Sequence, residues 1–213
     1  MRNFQSDVAT SLPEHWKEKH KQCYVTSIYP DHKEVNPRLY ELIRTHATKE
    51  LTSGAMQTAY QSGSDNRNIY EIKKLFSAIE DILPQVADEL AFNTDSNYNA
   101  NEFANQVIKD DSKVFKISQY WGMYYLDRGG AVEHNHFPFP LSFAYYINTP
   151  EGSAPFTIEG QDIPVNAGRI IIFPGSAFHS VHPSVEGRCM ISGNITYTPK
   201  FKKVGFQINK GFG

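Results

Sequence analysis

The chain has 213 residues, 40% of them hydrophobic and 21% charged, as is ordinary for a globular protein. Its net charge of −2 excludes a strong whole-chain attraction to nucleic acid or to an anionic membrane. No stretch approaches the ~20 apolar residues that span a bilayer, and the N-terminal sequence lacks the apolar core of a secretory signal. The two cysteines make no disulfide framework, so we expect a cytoplasmic protein.

The first elements along the chain are short. Ser11 and Glu14 flank a proline in a capping-box arrangement, which predicts a short helix through Trp16. Residues 22–29 are rich in β-forming side chains and predict a strand that ends at Pro30.

Two longer helices are predicted before residue 112. Asn36 and Pro37 form an N-cap and first-turn pair ahead of apolar residues at helical spacing. Residues 69–90 carry an apolar stripe, and we expect this amphipathic helix to be interrupted near Pro84. Residues 92–106 are rich in Asn and predict a loop or a short turn of helix. The stripe consists of Ile72, Leu75, Ile79 and Ile82.

The pattern changes to short β-type runs after residue 112. Gly, Pro and Asn separate these runs, and no helical pattern intervenes. Five or more such strands in succession predict an antiparallel sandwich or barrel. The runs are residues 114–126, 141–148, 154–158, 169–173 and 188–198.

Three histidines in this half are candidate metal ligands. His134 and His136 form an H-x-H step, and in extended backbone both imidazoles lie on one face because side chains alternate. His179 lies beyond a buried-looking strand, where it can complete a facial set of three ligands. A loop histidine is more often an ordinary surface group, and His182 is expected to be one, or to lie behind the ligands. The Gly-strand-Pro-His order of residues 168–179 is similar to the second motif of the cupin barrel.

Arg188, nine residues beyond His179, extends the resemblance to the 2-oxoglutarate/Fe(II)-dependent oxygenases. The chain resembles in particular their prolyl-hydroxylase-like group, whose members with an H-x-H motif occur in bacteria and marine phages. The resemblance implies an α+β protein of one domain, residues 1–213. Residues 113–200 would form a double-stranded β-helix (a jelly-roll or cupin-like barrel) that carries the catalytic site. Residues 1–112 would form a mainly helical supporting region with a few strands, its helices packed on the barrel, and residues 201–213 would form a C-terminal tail. The matching pieces are WGMYY at 121–125, HNH at 134–136, LSFAYYIN at 141–148, GRIIIFP at 168–174, HSV at 179–181 and GRCMISGN at 187–194.

The same resemblance implies roles for individual residues. His134, His136 and His179 would bind Fe(II), and Arg188 would grip the far carboxylate of 2-oxoglutarate through two parallel hydrogen bonds. With O2, such an enzyme hydroxylates an unactivated carbon of a peptide or small molecule and releases succinate and CO2. The cosubstrate-binding residues would also include Ser142 and Tyr146, which share one face of their strand with Ala144. Tyr124 would be another, with the neighbouring Tyr125 as its alternative. Strand parity adds Ser192 and Asn194, which share a face with Arg188.

Alternatives remain open at this point. Most members of the superfamily have H-x-D or H-x-E where this chain has H-x-H, and three histidines bring no negative charge to the metal. A cupin-type dioxygenase or isomerase with three histidines, which uses no oxo acid, would explain the same ligands. A non-catalytic barrel that binds a ligand or partner is the second alternative. The family often forms dimers, so a homodimer is one option.

Overall fold

The computed structural model describes residues 24–90 and 113–199. They form helix α1 (His32–His46), helix α2 (Tyr70–Glu89) and a set of short and long strands. The predicted helix at Ser11, the Asn-rich segment 92–106 and the tail 201–213 lie outside the described residues. The strands are β1 (Val25–Ile28), β2 (Lys49–Glu50), β3 (Ala55–Gln57), β4 (Gln61–Ser62), β5 (Lys113–Tyr125), β6 (Gly129–His134), β7 (Leu141–Asn148), β8 (Phe156–Ile158), β9 (Gln161–Ile163), β10 (Arg169–Pro174), β11 (His179–Ser184) and β12 (Cys189–Pro199).

The strands form two antiparallel sheets. The larger has the order β1-β10-β7-β12-β5-β3-β2, with β4 also paired to β5, and the smaller has the order β6-β11-β8-β9. A cluster of buried side chains contains Trp121 and Phe173 from the larger sheet together with Phe156 and Val181 from the smaller one. The two sheets therefore enclose a common apolar interior, as expected for a double-stranded β-helix.

Strand β7 shows how alternate residues serve two different cores. Phe143 and Tyr145 join the core that both helices cover, while Ala144 and Tyr146 join the core between the sheets. All eight positions except the last are buried, because β7 has neighbours on both faces. Alternation along the strand therefore divides its side chains between the two cores.

Helix α1 begins earlier than its sequence predicts. It starts at His32, so that Asn36 and Pro37 lie inside it, and the predicted N-cap is wrong. Asn36 is buried: its Nδ2 donates to the carbonyl of Ile147 at 2.8 Å, and its Oδ1 accepts from the Tyr145 hydroxyl at 2.5 Å. Its side chain therefore joins the helix to β7 and is not available to cap the helix.

Helix α2 continues through Pro84 to Glu89, so the predicted interruption is also wrong. Pro84 is exposed, whereas Leu83 and Val86 on either side of it are buried. Burial of this apolar stripe against the sheet offsets the one backbone hydrogen bond that proline cannot make. Neither described helix is long and apolar enough to cross a lipid bilayer.

Candidate metal centre and the cavity behind it

The pairing of β6 with β11 places His134 and His179 side by side. His134 ends β6 and His179 begins β11, and the two residues lie directly opposite each other in the antiparallel pair. Their ring centroids are 4.3 Å apart. His136 follows two residues after His134, and one nitrogen from each of the three rings lies within 4.8 Å of the others.

A close backbone contact positions His136. Its amide donates to the carbonyl of Gly175 at 2.6 Å, which ties the segment after β6 to the end of β10. A Cβ at Gly175 would lie 2.0 Å from the carbonyl oxygen of Phe139, so only glycine allows these two segments to approach so closely.

Each of the three imidazoles has a partner on Nδ1. His134 and His179 face the carbonyls of Val132 and Ala177, at 2.7 and 3.1 Å. A carbonyl can only accept, so Nδ1 carries the proton in both rings and Nε2 keeps its lone pair for a metal.

His136 is held by a chain of two hydrogen bonds. Its Nδ1 lies 2.9 Å from Ser142 Oγ, and that hydroxyl donates to Oδ1 of Asn194, also at 2.9 Å. Because Ser142 gives its proton to Asn194, it accepts the proton of His136 Nδ1. The third histidine is therefore set in the same tautomer as the other two.

Burial keeps two of the histidines neutral. It lowers the pKa of His136 to about 4 and that of His179 to about 3, and the nearby His134 lowers both further. A metal binds neutral imidazole, so these rings are in the ligand form at neutral pH.

The rings of the triad must move closer together to hold a divalent ion on one face. Metal–nitrogen bonds of about 2.1 Å at right angles separate two ligand nitrogens by about 3 Å, whereas the triad nitrogens lie within 4.8 Å of one another. Closing that gap takes up to about 1.8 Å, or about 0.9 Å of motion for each of two side chains. No aspartate, glutamate or cysteine among the described residues joins this group of candidate ligands.

A cavity of about 420 Å³ extends from the triad between the two sheets. The ring centroids of Trp121 and His136 are 5.4 Å apart, and those of Phe173 and His179 are 4.7 Å apart. These rings surround the triad with apolar surface on its inner side. A larger cavity of about 580 Å³, between β1 and α2, contains none of the three histidines.

Arg188 lies fully buried within the same barrel. Its guanidinium packs over the rings of Tyr125 and Tyr146, with the guanidinium carbon 5.1 and 5.2 Å from their centroids. It donates to the Ala154 carbonyl at 2.5 Å and to the Tyr146 hydroxyl at 3.4 Å, while its Nε has no partner among the described residues. No acidic side chain pairs with it in the described part of the chain. A buried cation without a counter-ion is costly, and an anionic ligand would offset that cost.

The predicted cosubstrate residues fall into three groups. Tyr146 contacts Arg188, and Ser142 lies behind His136. Ser192 and Asn194 line the cavity, as strand parity predicts. Arg188, Tyr146 and Ser142 do not line this cavity themselves.

Tyr124 is placed elsewhere. It packs edge-on against Tyr40 of α1, in the core on the helix side of the sheet, so its predicted contact with a cosubstrate is wrong. The neighbouring Tyr125 lines the cavity and contacts Arg188. Alternation along β5 distinguishes the two candidates, because Tyr125 shares a face with Trp121 and Met123.

Comparison with known proteins gives a likeness of structure alone. No protein-family model matches the chain, and no curated protein matches its sequence. Similar solved structures include a prolyl hydroxylase from Trichoplax adhaerens in complex with a hypoxia-inducible-factor peptide. That protein has 14% identity and a TM-score of 0.58, and the match covers 93% of this chain and 94% of the other. The chain has the double-stranded β-helix fold.

Two further similar structures bind or use 2-oxoglutarate. The non-haem α-ketoglutarate-dependent epimerase of nogalamycin biosynthesis has 12% identity and a TM-score of 0.57, and the match covers 98% of this chain and 92% of that one. The viral collagen prolyl hydroxylase of Paramecium bursaria Chlorella virus-1, solved as its 2-oxoglutarate complex, has 14% identity and a TM-score of 0.52. Here the match covers 82% of this chain and 95% of the other. These oxygenases support the fold predicted from the sequence.

Proposed function

We propose that the protein is an Fe(II)- and 2-oxoglutarate-dependent dioxygenase that hydroxylates an unactivated carbon of a peptide or small molecule, releasing succinate and CO2. The observation that carries this proposal is Arg188, a fully buried cation that lacks an acidic partner among the described residues and lies in the same barrel as three convergent histidines. A ligand with a carboxylate at each end, one on the metal and one on Arg188, uses both features.

The proposal assigns the metal to Nε2 of His134, His136 and His179. Iron bound there would supply the oxidative chemistry, with O2 and 2-oxoglutarate as co-reactants. The chain itself holds the three rings in one tautomer through the carbonyls of Val132 and Ala177 and through Ser142. The surrounding rings would limit access of water.

Arg188 and Tyr146 would bind the far carboxylate of the cosubstrate. Guanidinium offers two parallel donors to a carboxylate, and burial strengthens that charge pair. Burial also raises the pKa of Tyr146, so its phenol keeps its proton and can donate as well. Ser192 lines the cavity and would be a further polar contact.

Met190 lines the cavity and contacts Tyr125, the ring on which Arg188 packs. Met190 and Tyr125 line the cavity, Arg188 does not, and the Tyr125 hydroxyl donates to the Met190 sulfur at 3.6 Å. We expect this flexible side chain to turn aside when the cosubstrate reaches Arg188, since methionine adapts readily to new neighbours.

A cupin-type dioxygenase that uses no oxo acid is the second candidate. It is favoured by the ligand set, because no carboxylate among the described residues joins the three histidines. In that case Arg188 would bind some other anion, or would act only in packing.

The test is anaerobic addition of Fe(II), then 2-oxoglutarate, to metal-free protein. We expect one Fe(II) per chain and a weak visible charge-transfer band that requires both additions, with neither in His179→Ala. Slow succinate formation in air would follow the same dependence. Iron binding without any spectral response to 2-oxoglutarate would favour the second candidate, and no iron binding would refute both.

A further inference from the structure

Asn194 lies behind the candidate metal ligands and is connected to one of them. It is opposite Ser142 in the pairing of β12 with β7, and both side chains are buried, with exposed fractions of 4% and 0%. The Ser142 hydroxyl donates to Asn194 Oδ1 and lies beside His136 Nδ1, each at 2.9 Å. In the described part of the chain, this hydroxyl has no other side-chain partner than these two. The three groups therefore form one closed relay.

The relay from Asn194 to His136 can run in two directions. With Oδ1 turned towards Ser142, as in the structure, the hydroxyl donates to the amide and accepts the proton of His136 Nδ1. With Nδ2 turned towards Ser142, the hydroxyl would donate to His136 Nδ1, and the ring proton would lie on Nε2. Only the first direction leaves the lone pair of Nε2 free for a metal. The orientation of one buried amide thus decides whether the ring can be a ligand.

A β-bulge holds the backbone of Asn194 in place. Asn194 pairs with Gln119 of β5, and the next pair is Ile195 with Ile117. Ser118 is therefore an extra residue in β5. Its hydroxyl donates to the backbone carbonyl of Asn194 at 3.0 Å, which gives this carbonyl a partner where the ladder is interrupted.

The same bulge ends the part of β5 that faces the cavity. Trp121 and Met123 line the cavity, whereas Ile117, also odd-numbered, belongs to the core on the helix side. One extra residue reverses the direction of the side chains beyond it, because they alternate with a period of two. Asn194 is paired just before this reversal, so its side chain faces the cavity beside the Ser142 hydroxyl.

We propose that Asn194 is a positioning residue for the metal centre, which acts through Ser142 to keep His136 in the tautomer that binds metal through Nε2. Without the amide, the buried Ser142 hydroxyl would have His136 Nδ1 as its remaining acceptor, and donation there requires the ring proton on Nε2. The inference rests on the metal site of the proposed function and is independent of the cosubstrate. It gives Asn194 a different role from the cosubstrate contact predicted from strand parity.

The test compares Asn194→Leu with Asn194→Asp. Leucine removes the acceptor at similar volume, whereas aspartate keeps an acceptor oxygen whether or not it is protonated. Gln119→Leu is the matched control, because it removes an amide from the neighbouring position of the same cavity. No hydrogen bond joins Gln119 to the relay among the described residues.

The first readout is the tautomer of His136 in the metal-free protein at neutral pH. Long-range proton–nitrogen NMR spectra report it, and comparison with His136→Gln assigns the signals. We expect the proton on Nδ1 in the unmodified protein, in Asn194→Asp and in Gln119→Leu, and mainly on Nε2 in Asn194→Leu. A proton on Nε2 in the unmodified protein or in Asn194→Asp would overturn the inference, as would a proton that stays on Nδ1 in Asn194→Leu.

The second readout is the affinity for Zn(II), measured by competition with a chelator. It should fall by about 10- to 100-fold in Asn194→Leu and by no more than about threefold in the other two variants. An affinity within about threefold in Asn194→Leu, or an equal loss in Gln119→Leu, would overturn the inference. Urea unfolding shows whether Asn194→Leu folds; if it does not, the tautomers of the unmodified protein and of Asn194→Asp still decide the question.

Failure of the proposed function is visible separately. An unmodified protein that binds neither Zn(II) nor Fe(II) at the triad would refute the proposed function. An unmodified protein that binds metal, with no change of tautomer or affinity in Asn194→Leu, would refute the further inference alone.

Discussion

Replacing Arg188 with methionine tests the anion site directly. Methionine keeps most of the volume and removes only the charge and the donors. The guanidinium is fully buried, so solvent does not screen its interaction with a carboxylate. Removing one partner of a buried, hydrogen-bonded charge pair costs about 2–5 kcal/mol. Since 1.4 kcal/mol is a factor of ten, the affinity for 2-oxoglutarate should fall by about 30- to 4,000-fold.

The assay is titration of 2-oxoglutarate into the anaerobic Fe(II) protein, followed by the charge-transfer band. Iron affinity should not change, because Arg188 contacts Tyr125, Tyr146 and Ala154 and not the triad. Arg38→Met, at an exposed position of α1, is the control and should leave both affinities unchanged. Urea unfolding checks that the variant folds, and we expect no loss of stability, because a buried cation without an acidic partner contributes little to it.

An affinity for 2-oxoglutarate within threefold of the unmodified protein would refute the reasoning. Loss of iron binding together with 2-oxoglutarate binding would instead indicate a general disturbance of the barrel, and the unfolding curve would reveal it.

Three further predictions concern the support of the site and of the fold. Ser142→Ala removes the hydrogen-bond partner of His136 Nδ1. The metal affinity, measured by competition with a chelator, should therefore fall by about 10- to 100-fold. The control Ser180→Ala, on the strand that begins with His179, should have little effect. The metal-free protein should lose stability as the pH falls from about 6.5 towards 4, because unfolded histidines take up protons in a range where His136 and His179 stay neutral. Each of these two histidines should lower the free energy of unfolding by about 1–2 kcal/mol at pH 5 relative to neutral pH, as measured by urea unfolding. The double variant His136→Gln with His179→Gln should flatten this pH profile. An unchanged profile in the double variant would show that other groups cause the loss of stability. Asn36→Leu should lower the free energy of unfolding by about 1–3 kcal/mol, since Ile147 loses a donor and Tyr145 an acceptor. Tyr145→Phe should then cost little in that background, and a full additive cost would contradict the coupling.

The strand patterns predicted the parts of the site that depend on alternation alone. Ala144 and Tyr146 of β7 face the core between the sheets, and Ser192 and Asn194 of β12 face the cavity, because side-chain direction in a strand follows directly from residue parity. The gathering of His134, His136 and His179 was predicted from spacing and resemblance, and their nitrogens do converge.

The errors come from contacts between distant segments. Asn36 has the composition of a helix cap, but it bonds to Ile147 and Tyr145, more than a hundred positions away. Pro84 is tolerated because the packed stripe around it continues, which local propensity cannot show. Strands β6 and β11 escaped notice since one contains two glycines and the other a proline.

The most direct test of the central claim is a crystal structure of the anaerobic complex with Fe(II) and 2-oxoglutarate. The account predicts an iron anomalous peak within about 2.1–2.2 Å of Nε2 of His134, His136 and His179, and the far carboxylate of 2-oxoglutarate on the Arg188 guanidinium. Iron bound elsewhere, or a cosubstrate carboxylate that does not contact Arg188, would contradict it.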